Sequence, residues 1–357
     1  MKYRNLVFCI LFIAIISLPL LFFGNQDSQS VVNENRNLSS AVEVPKKLSD
    51  VNAKLTADLE TYFNDHIGFR QSLVTLANTV RIKILGVNSV TTKVIEGKDG
   101  WLFYNPQGPD GDPMGDYLGT NTYTQQDLES VGAYLQQIHN VCKQAGSNFY
   151  LIICPNKASI YGERYLPDYY VKGEGPNRAD LLVDYVRNNT DIKCIYVKEE
   201  LLRYSENEFV YFKHDTHWTE LGAYLAYRDW YYQYAGEWLP PLETCMKVPA
   251  SEPTDLSDQL GVQLEGGTYY SVDLQRGITF EERQTDRYCY YYHSTNANGK
   301  TAVMFRDSFL IYLQPYICQD FEDTYIYPKQ LGTEDFSMIE QEKPDVVIFE
   351  MLERYLP

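Results

Sequence analysis

The chain has 357 residues, enough to bury a sizeable core in one large domain or two small ones. Its net charge of −17 argues against nucleic acid or an anionic lipid surface as a partner, since both require basic patches. Seven cysteines without a Cys-x-x-Cys pair give no metal-ligand spacing, and one or two disulfides among those beyond Cys9 stay open. Thirty-one tyrosines suit a sugar-lined cleft, with a composition bias as the blander reading.

Residues 6–23 are an almost unbroken apolar run, close to the length that spans a bilayer, with Lys2 and Arg4 ahead of it. No small-x-small cleavage site follows, so an uncleaved transmembrane signal-anchor is expected, with residues 1–5 in the cytoplasm and the remainder exported. Residues 24–47 read as a flexible linker and 48–92 as a helical segment, with Val51, Leu55, Leu59 and Phe63 at helical spacing and a break near Gly68. Asp65, His66 and Arg70 at that break are candidates for chemistry, but a capped helix junction with an ion pair explains them better.

From residue 93 to 357 a single α/β domain is expected. It opens on a hairpin turning at Lys98-Asp99-Gly100. A Gly/Pro/Asp-rich loop from Pro106 to Gly119 comes next, then a helix from Thr124 to Ala145 stopped by Gly146. Apolar strands then alternate with helices: strands at residues 149–154, 192–197, 301–305, 324–327 and 345–350, helices at 178–188, 198–204, 219–235, 308–318 and 334–341. Such alternation predicts a parallel sheet with helices on both faces, and ligands bound beyond the carboxyl ends of its strands. Residues 236–300 break the pattern and read as an inserted loop and hairpin region.

Two distant stretches carry the chemistry. In Met304-Phe305-Arg306-Asp307-Ser308-Phe309, Ser308 follows a strand and precedes a helix, where α/β hydrolytic enzymes place a nucleophile. A helix cap by Ser308 or Asp307 is the bland alternative. In His214-Asp215-Thr216-His217-Trp218, His217 is the candidate base. Asp215 lies two residues before it, on the same side of an extended segment, to orient the imidazole. Metal ligation by His214, Asp215 and His217 is a second reading, although no further carboxylate cluster sits nearby.

Several segments, in order, resemble the DHHW proteins and the alginate O-acetyltransferase family, whose catalytic domain is similar to SGNH hydrolases. They are Tyr62-Phe63-Asn64-Asp65-His66-Ile67-Gly68-Phe69-Arg70, Glu96-Gly97-Lys98-Asp99-Gly100-Trp101-Leu102-Phe103, Pro155-Asn156-Lys157, His214-Asp215-Thr216-His217-Trp218, Arg306-Asp307-Ser308-Phe309, and Asp345-Val346-Val347-Ile348-Phe349-Glu350 with Glu353-Arg354. The resemblance implies an SGNH-like site in permuted order, Asp-x-His before Ser, with Ser308 as nucleophile, His217 as base and Asp215 as its partner. It further implies oxyanion or substrate contacts from Arg306, Lys157, Asn156 and Arg354, with no metal and no cofactor. The implied activity is O-acetylation of a cell-surface or secreted polysaccharide, with a polytopic membrane-bound O-acyltransferase delivering the acetyl group. An acetyl esterase or deacetylase using the same three residues, and an inactive glycan-binding surface protein, are the alternatives. Asp307 departs from the family pattern, which often has a small residue or Thr before the serine; a carboxylate there hinders an oxyanion unless it turns away.

Overall fold

The computed structural model describes residues 2–24, 39–42, 53–84, 93–106, 110–262, 264–286, 289–328 and 336–357. The chain divides into two compact units, Met1–Thr91 with Asp255–Leu264, and Thr92–Thr254 with Glu265–Pro357. Most of the expected linker lies outside the described residues.

In the first unit, helix α1 (Lys2–Leu21) is followed by α2 (Ala53–His66) and α3 (Arg70–Thr79). The apolar run does not stay helical to its end. Phe22 and Phe23 turn away and place their rings against Phe69 (4.7 Å) and Phe63 (5.6 Å). The helical apolar part, residues 6–21, is therefore about 24 Å long, short of the roughly 30 Å hydrocarbon layer. Among the described residues no helix is long and apolar enough to cross a membrane, and the structure does not support the expected anchor. The break at Gly68 is a helix junction. A Cβ there would lie 2.5 Å from Phe22 Cβ, and Phe69 takes the left-handed conformation (φ 57°). Asp65 accepts the Ser39 N–H (2.9 Å), and His66 Nδ1 bonds the Tyr62 carbonyl (2.8 Å).

The second unit opens on an antiparallel hairpin, β1 (Val94–Glu96) and β2 (Leu102–Tyr104). Asp99 and Gly100 turn it with φ of 54° and 75°, as a tight hairpin demands. Within the stretch read as a loop, helix α4 (Pro113–Leu118) forms, capped by Asp112 with proline at its first position. Helix α5 (Gln125–Ala145) starts on a capping box of Thr124 and Asp127 and ends at Gly146 (φ 83°). Strand β3 (Asn148–Cys154) leads into α6 (Lys157–Tyr165), a helix the sequence reading did not place. Then come α7 (Arg178–Asn189), β4 (Lys193–Ile195), α8 (Lys198–Tyr204) and α9 (Glu220–Ala235).

The inserted region supplies strands β5 (Met246–Ala250) and β6 (Tyr269–Asp273), which pair with each other, then β7 (Phe280–Asp286) and β8 (Cys289–Ser294). Strand β9 (Thr301–Arg306), helix α10 (Leu310–Ile317), strand β10 (Asp323–Pro328), helix α11 (Ser337–Glu342) and strand β11 (Val346–Leu352) complete the unit.

The main sheet has seven strands in the order β4-β3-β11-β9-β10-β8-β7. The first five are mutually parallel, but β8 runs antiparallel to β10 and β7 antiparallel to β8. The sheet is thus mixed, not the purely parallel one expected, because part of the presumed insertion completes its edge. Helices do cover both faces. Tyr150, Ile152, Met304 and Ile348 join one core with residues of α9 and α10. Their neighbours Leu151, Ile153, Val303 and Val347 join the other with residues of α5 and α7. Burial on both faces explains the unbroken apolar runs in β3 and β11.

Gly222, in the first turn of α9, is a point of close approach. A Cβ would stand 2.4 Å from the Val210 carbonyl oxygen and 3.1 Å from Trp218 Cβ. Ala favours a helix by about 1 kcal/mol over Gly. The obstructing atom is rigid backbone, so overpacking of about 1–3 kcal/mol wins. Gly222→Ala is expected to lower the denaturant midpoint of unfolding; an unchanged or raised midpoint contradicts this packing.

Candidate active site

The two chemical stretches meet beyond the carboxyl ends of the strands. The segment 211–218 is a narrow loop closed by a bridge between Tyr211 and Trp218. At its tip the side chain of Asp215 turns back on the chain. Its Oδ1 accepts both the backbone N–H of His217 (2.9 Å) and the ring Nδ1 (2.7 Å). A carboxylate only accepts, so Nδ1 carries the proton, and Nε2 is left to accept from the Ser308 hydroxyl at 2.8 Å. Asp215 is 2% exposed, whereas His217 and Ser308 are half-buried and open to a reactant. The three residues singled out from the sequence therefore form one continuous hydrogen-bonded relay.

Ser308 lies in the turn between β9 and α10, two residues before the helix begins. Asp307 is not beside the hydroxyl in effect, because its carboxylate is turned away. Oδ1 accepts the Phe309 N–H (3.0 Å) and Oδ2 the Leu352 N–H at the end of β11 (2.8 Å). Its own N–H donates to Glu350, a fully buried carboxylate on β11 (2.9 Å). Among the described residues the Ser308 N–H donates to no protein acceptor, which leaves it for an oxyanion. The Trp218 indole ties the loop to the turn through the Phe309 carbonyl (2.9 Å), and the Phe309 and Tyr312 rings lie 4.9 and 5.7 Å from the imidazole.

The remaining candidates divide. Lys157, 5% exposed, points beneath the loop and donates to the carbonyls of Lys213 (2.9 Å) and Asp215 (3.0 Å). Arg306, 7% exposed, donates to the Asp307 carbonyl (3.2 Å) and lies over the Tyr290 ring. Asn156 and Arg354 do not bond the relay. Asn156 donates its N–H to Glu353 and its amide to Asp116 (3.4 Å), and the Arg354 guanidinium rests over Tyr104 and Tyr355. Burial holds the Glu353 carboxyl up at about 7.

His214 does not join Asp215 and His217 as a metal ligand. Its backbone N–H donates to Glu252 (2.9 Å), and its ring faces the same carboxylate at 3.4 Å. Tyr269 also donates to Glu252 (2.8 Å) and accepts the Lys213 N–H (3.0 Å), so the inserted region clasps the loop. Elsewhere in this unit His293, Glu322 and Asp323 present ligand atoms close enough to meet one cation, at an exposed place. All seven cysteines are free thiols.

Sequence reasoning missed Glu350, Glu252, Tyr269 and Trp218 as supports. The family-like segments contained Glu350 and Trp218, but a supporting role shows only once β11 and the loop are in place. If Asp307 braces the serine turn, Asp307→Ala leaves two N–H groups unpaired, at about 1–3 kcal/mol each. Denaturant unfolding is expected to show a loss of about 2–6 kcal/mol for the two groups together; a loss below about 0.5 kcal/mol, the level of a surface change, contradicts the brace.

Residues 94–241 match the family model described as the SGNH hydrolase-like domain of acetyltransferase AlgX. No curated protein sequence matches the chain. Among solved structures, Bacillus cereus PatB1 carrying a sulfonyl adduct aligns with a TM-score of 0.52 at 17% identity, over 74% of this chain and 97% of that one. A DHHW family protein from Eubacterium siraeum aligns at 0.49 and 17% identity, over 74% and 93%. The O-acetyltransferase domain of Pseudomonas putida AlgJ aligns at 0.43 and 17%, over 74% and 92%. At these identities the overlays bear on the fold, and of the three only PatB1 exceeds 0.5. The family match spans Asp215 and His217 and stops before Ser308. Residues 94–241 thus match the SGNH hydrolase-like domain of the AlgX acetyltransferases, and the resemblance read from the sequence stands.

Proposed function

We propose that the protein is an extracytoplasmic O-acyltransferase that moves an acetyl group onto a hydroxyl of a polysaccharide through an acyl-Ser308 intermediate. The observation that carries this reading is the relay of Asp215, His217 and Ser308 at 2.7 and 2.8 Å. The family description, which names an acetyltransferase, supports the acyl group chosen.

His217 Nε2 takes the Ser308 proton as Oγ attacks the donor carbonyl, and Asp215 stabilises the imidazolium that forms. The carbonyl oxygen gains its charge beside the Ser308 N–H. The imidazolium then returns the proton to the leaving group. In the second half a sugar hydroxyl loses its proton to His217 and attacks the acyl-serine, which restores the free hydroxyl. Water in place of the sugar would make the same site an esterase. A silent glycan-binding protein has no use for a hydroxyl held at 2.8 Å from an imidazole whose other nitrogen is fixed by a carboxylate. The apolar N-terminal run behind Lys2 and Arg4 supports export. Because acetyl-CoA is confined to the cytoplasm, a membrane-bound O-acyltransferase is the donor in this proposal.

The full chain, given an activated acetyl ester and an oligosaccharide acceptor, is expected to form acetylated sugar. Ser308→Ala and His217→Ala abolish it, and Asp215→Asn lowers kcat by about 10⁴-fold, as loss of the correct tautomer does elsewhere. Acetate release indifferent to the acceptor identifies an esterase instead. Absence of turnover across several donors counts against both.

A further inference from the structure

We propose that Lys157 is a positioning residue: its buried ammonium holds the carbonyls of Lys213 and Asp215 and so sets the backbone from which His217 reaches Ser308. This rests on the serine-nucleophile reading above and adds a residue that acts through the base rather than on the substrate.

Lys157 opens α6 directly beyond β3. Its side chain passes under the loop, with the ammonium 5.1 Å from the Trp101 ring and 5.5 Å from the Phe103 ring. Both rings belong to the β1–β2 hairpin, and that hairpin also donates the Leu102 N–H to the Lys213 carbonyl (3.0 Å). Removing an ammonium from water costs several kcal/mol unless its hydrogens are bonded. An apolar side chain would fill this space without that penalty, so packing alone does not account for a lysine.

The two carbonyls it binds are two residues apart and held from one side. The Asp215 carbonyl belongs to the peptide that leads into Thr216. Rotating that peptide moves Thr216 and then His217, while the Asp215 side chain still grips the His217 N–H and ring at 2.9 and 2.7 Å. The imidazole would swing with its carboxylate and leave the serine. A misplacement of about 1 Å costs on the order of 100-fold in rate.

The test uses the full chain and phenylmethylsulfonyl fluoride, which reports serine activation without an acceptor sugar, read by intact-mass spectrometry. Lys157→Met keeps most of the length and suits the Trp101 and Phe103 rings but removes the donor. It is expected to fold and to be labelled about tenfold or more slowly. With ester substrate its kcat falls while KM stays within about threefold, the pattern of a lost transition-state alignment. A downfield NMR proton is expected between His217 and Asp215 in the wild type, and it is expected to shift or broaden in Lys157→Met. Lys157→Arg, charged but wider, is expected to label at a rate between the two.

Wild-type labelling, kcat and downfield proton in a folded Lys157→Met overturn the proposal. Should that variant not fold, a wild-type labelling rate in Lys157→Arg overturns it. If the wild type itself resists labelling at Ser308, the nucleophile reading fails. The downfield proton then still decides whether Lys157 positions His217.

Discussion

One oxygen atom organises the site. Asp215 Oδ1 takes both the backbone N–H and the ring N–H of His217, so a single carboxylate fixes the tautomer of the imidazole and its direction. The Ser308 hydroxyl gains its acceptor only because of that fixing. A loop between two helices, α8 and α9, has no reason to hold such a geometry by itself, and the surrounding structure supplies the restraint. Lys157 and the Leu102 N–H hold the loop from below, Glu252 and Tyr269 from the inserted region, and Trp218 toward the serine turn.

The serine turn is restrained from the sheet by the same means. Glu350 and Asp307 place two carboxylates against three N–H groups where β9 and β11 end. The result is a site whose polar atoms are largely committed before any substrate arrives. Such preorganisation is what makes a fixed dipole worth more than a water molecule that has to reorient during the reaction. It also explains why Asp307, a carboxylate beside a nucleophile, is tolerated: both of its oxygens are engaged elsewhere.

Much of this was legible in the sequence. The apolar runs of β3, β9 and β11, the helix from Thr124 stopped by Gly146, and the Asp-x-His spacing are local signals, and local signals are visible without the fold. The missed elements depend on distant partners. Helix α6 follows Pro155 and carries buried polar residues, so its periodicity is faint until α4 and α8 cover it. Strands β7 and β8 look like an insertion because nothing near them in sequence announces β10 as their neighbour. Helix α4 was hidden by its own cap and first residue, Asp112 and Pro113, which also mark loops. The end of α1 is set by Phe22 and Phe23 finding aromatic partners some forty residues later, and hydropathy alone counts those two rings as part of the run. Lys157 and Asp307 were noticed for their charge, but only the folded chain shows that each bonds backbone.

The central claim is that Ser308 becomes acylated. Peptide mapping of the full chain, quenched soon after mixing with an activated acetyl ester, tests it most directly. The account predicts an acetyl group on the peptide that contains Ser308 in the wild type and none there in Ser308→Ala. Acetyl transfer to a sugar with Ser308 never modified, or with the acetyl group on another residue, would contradict it.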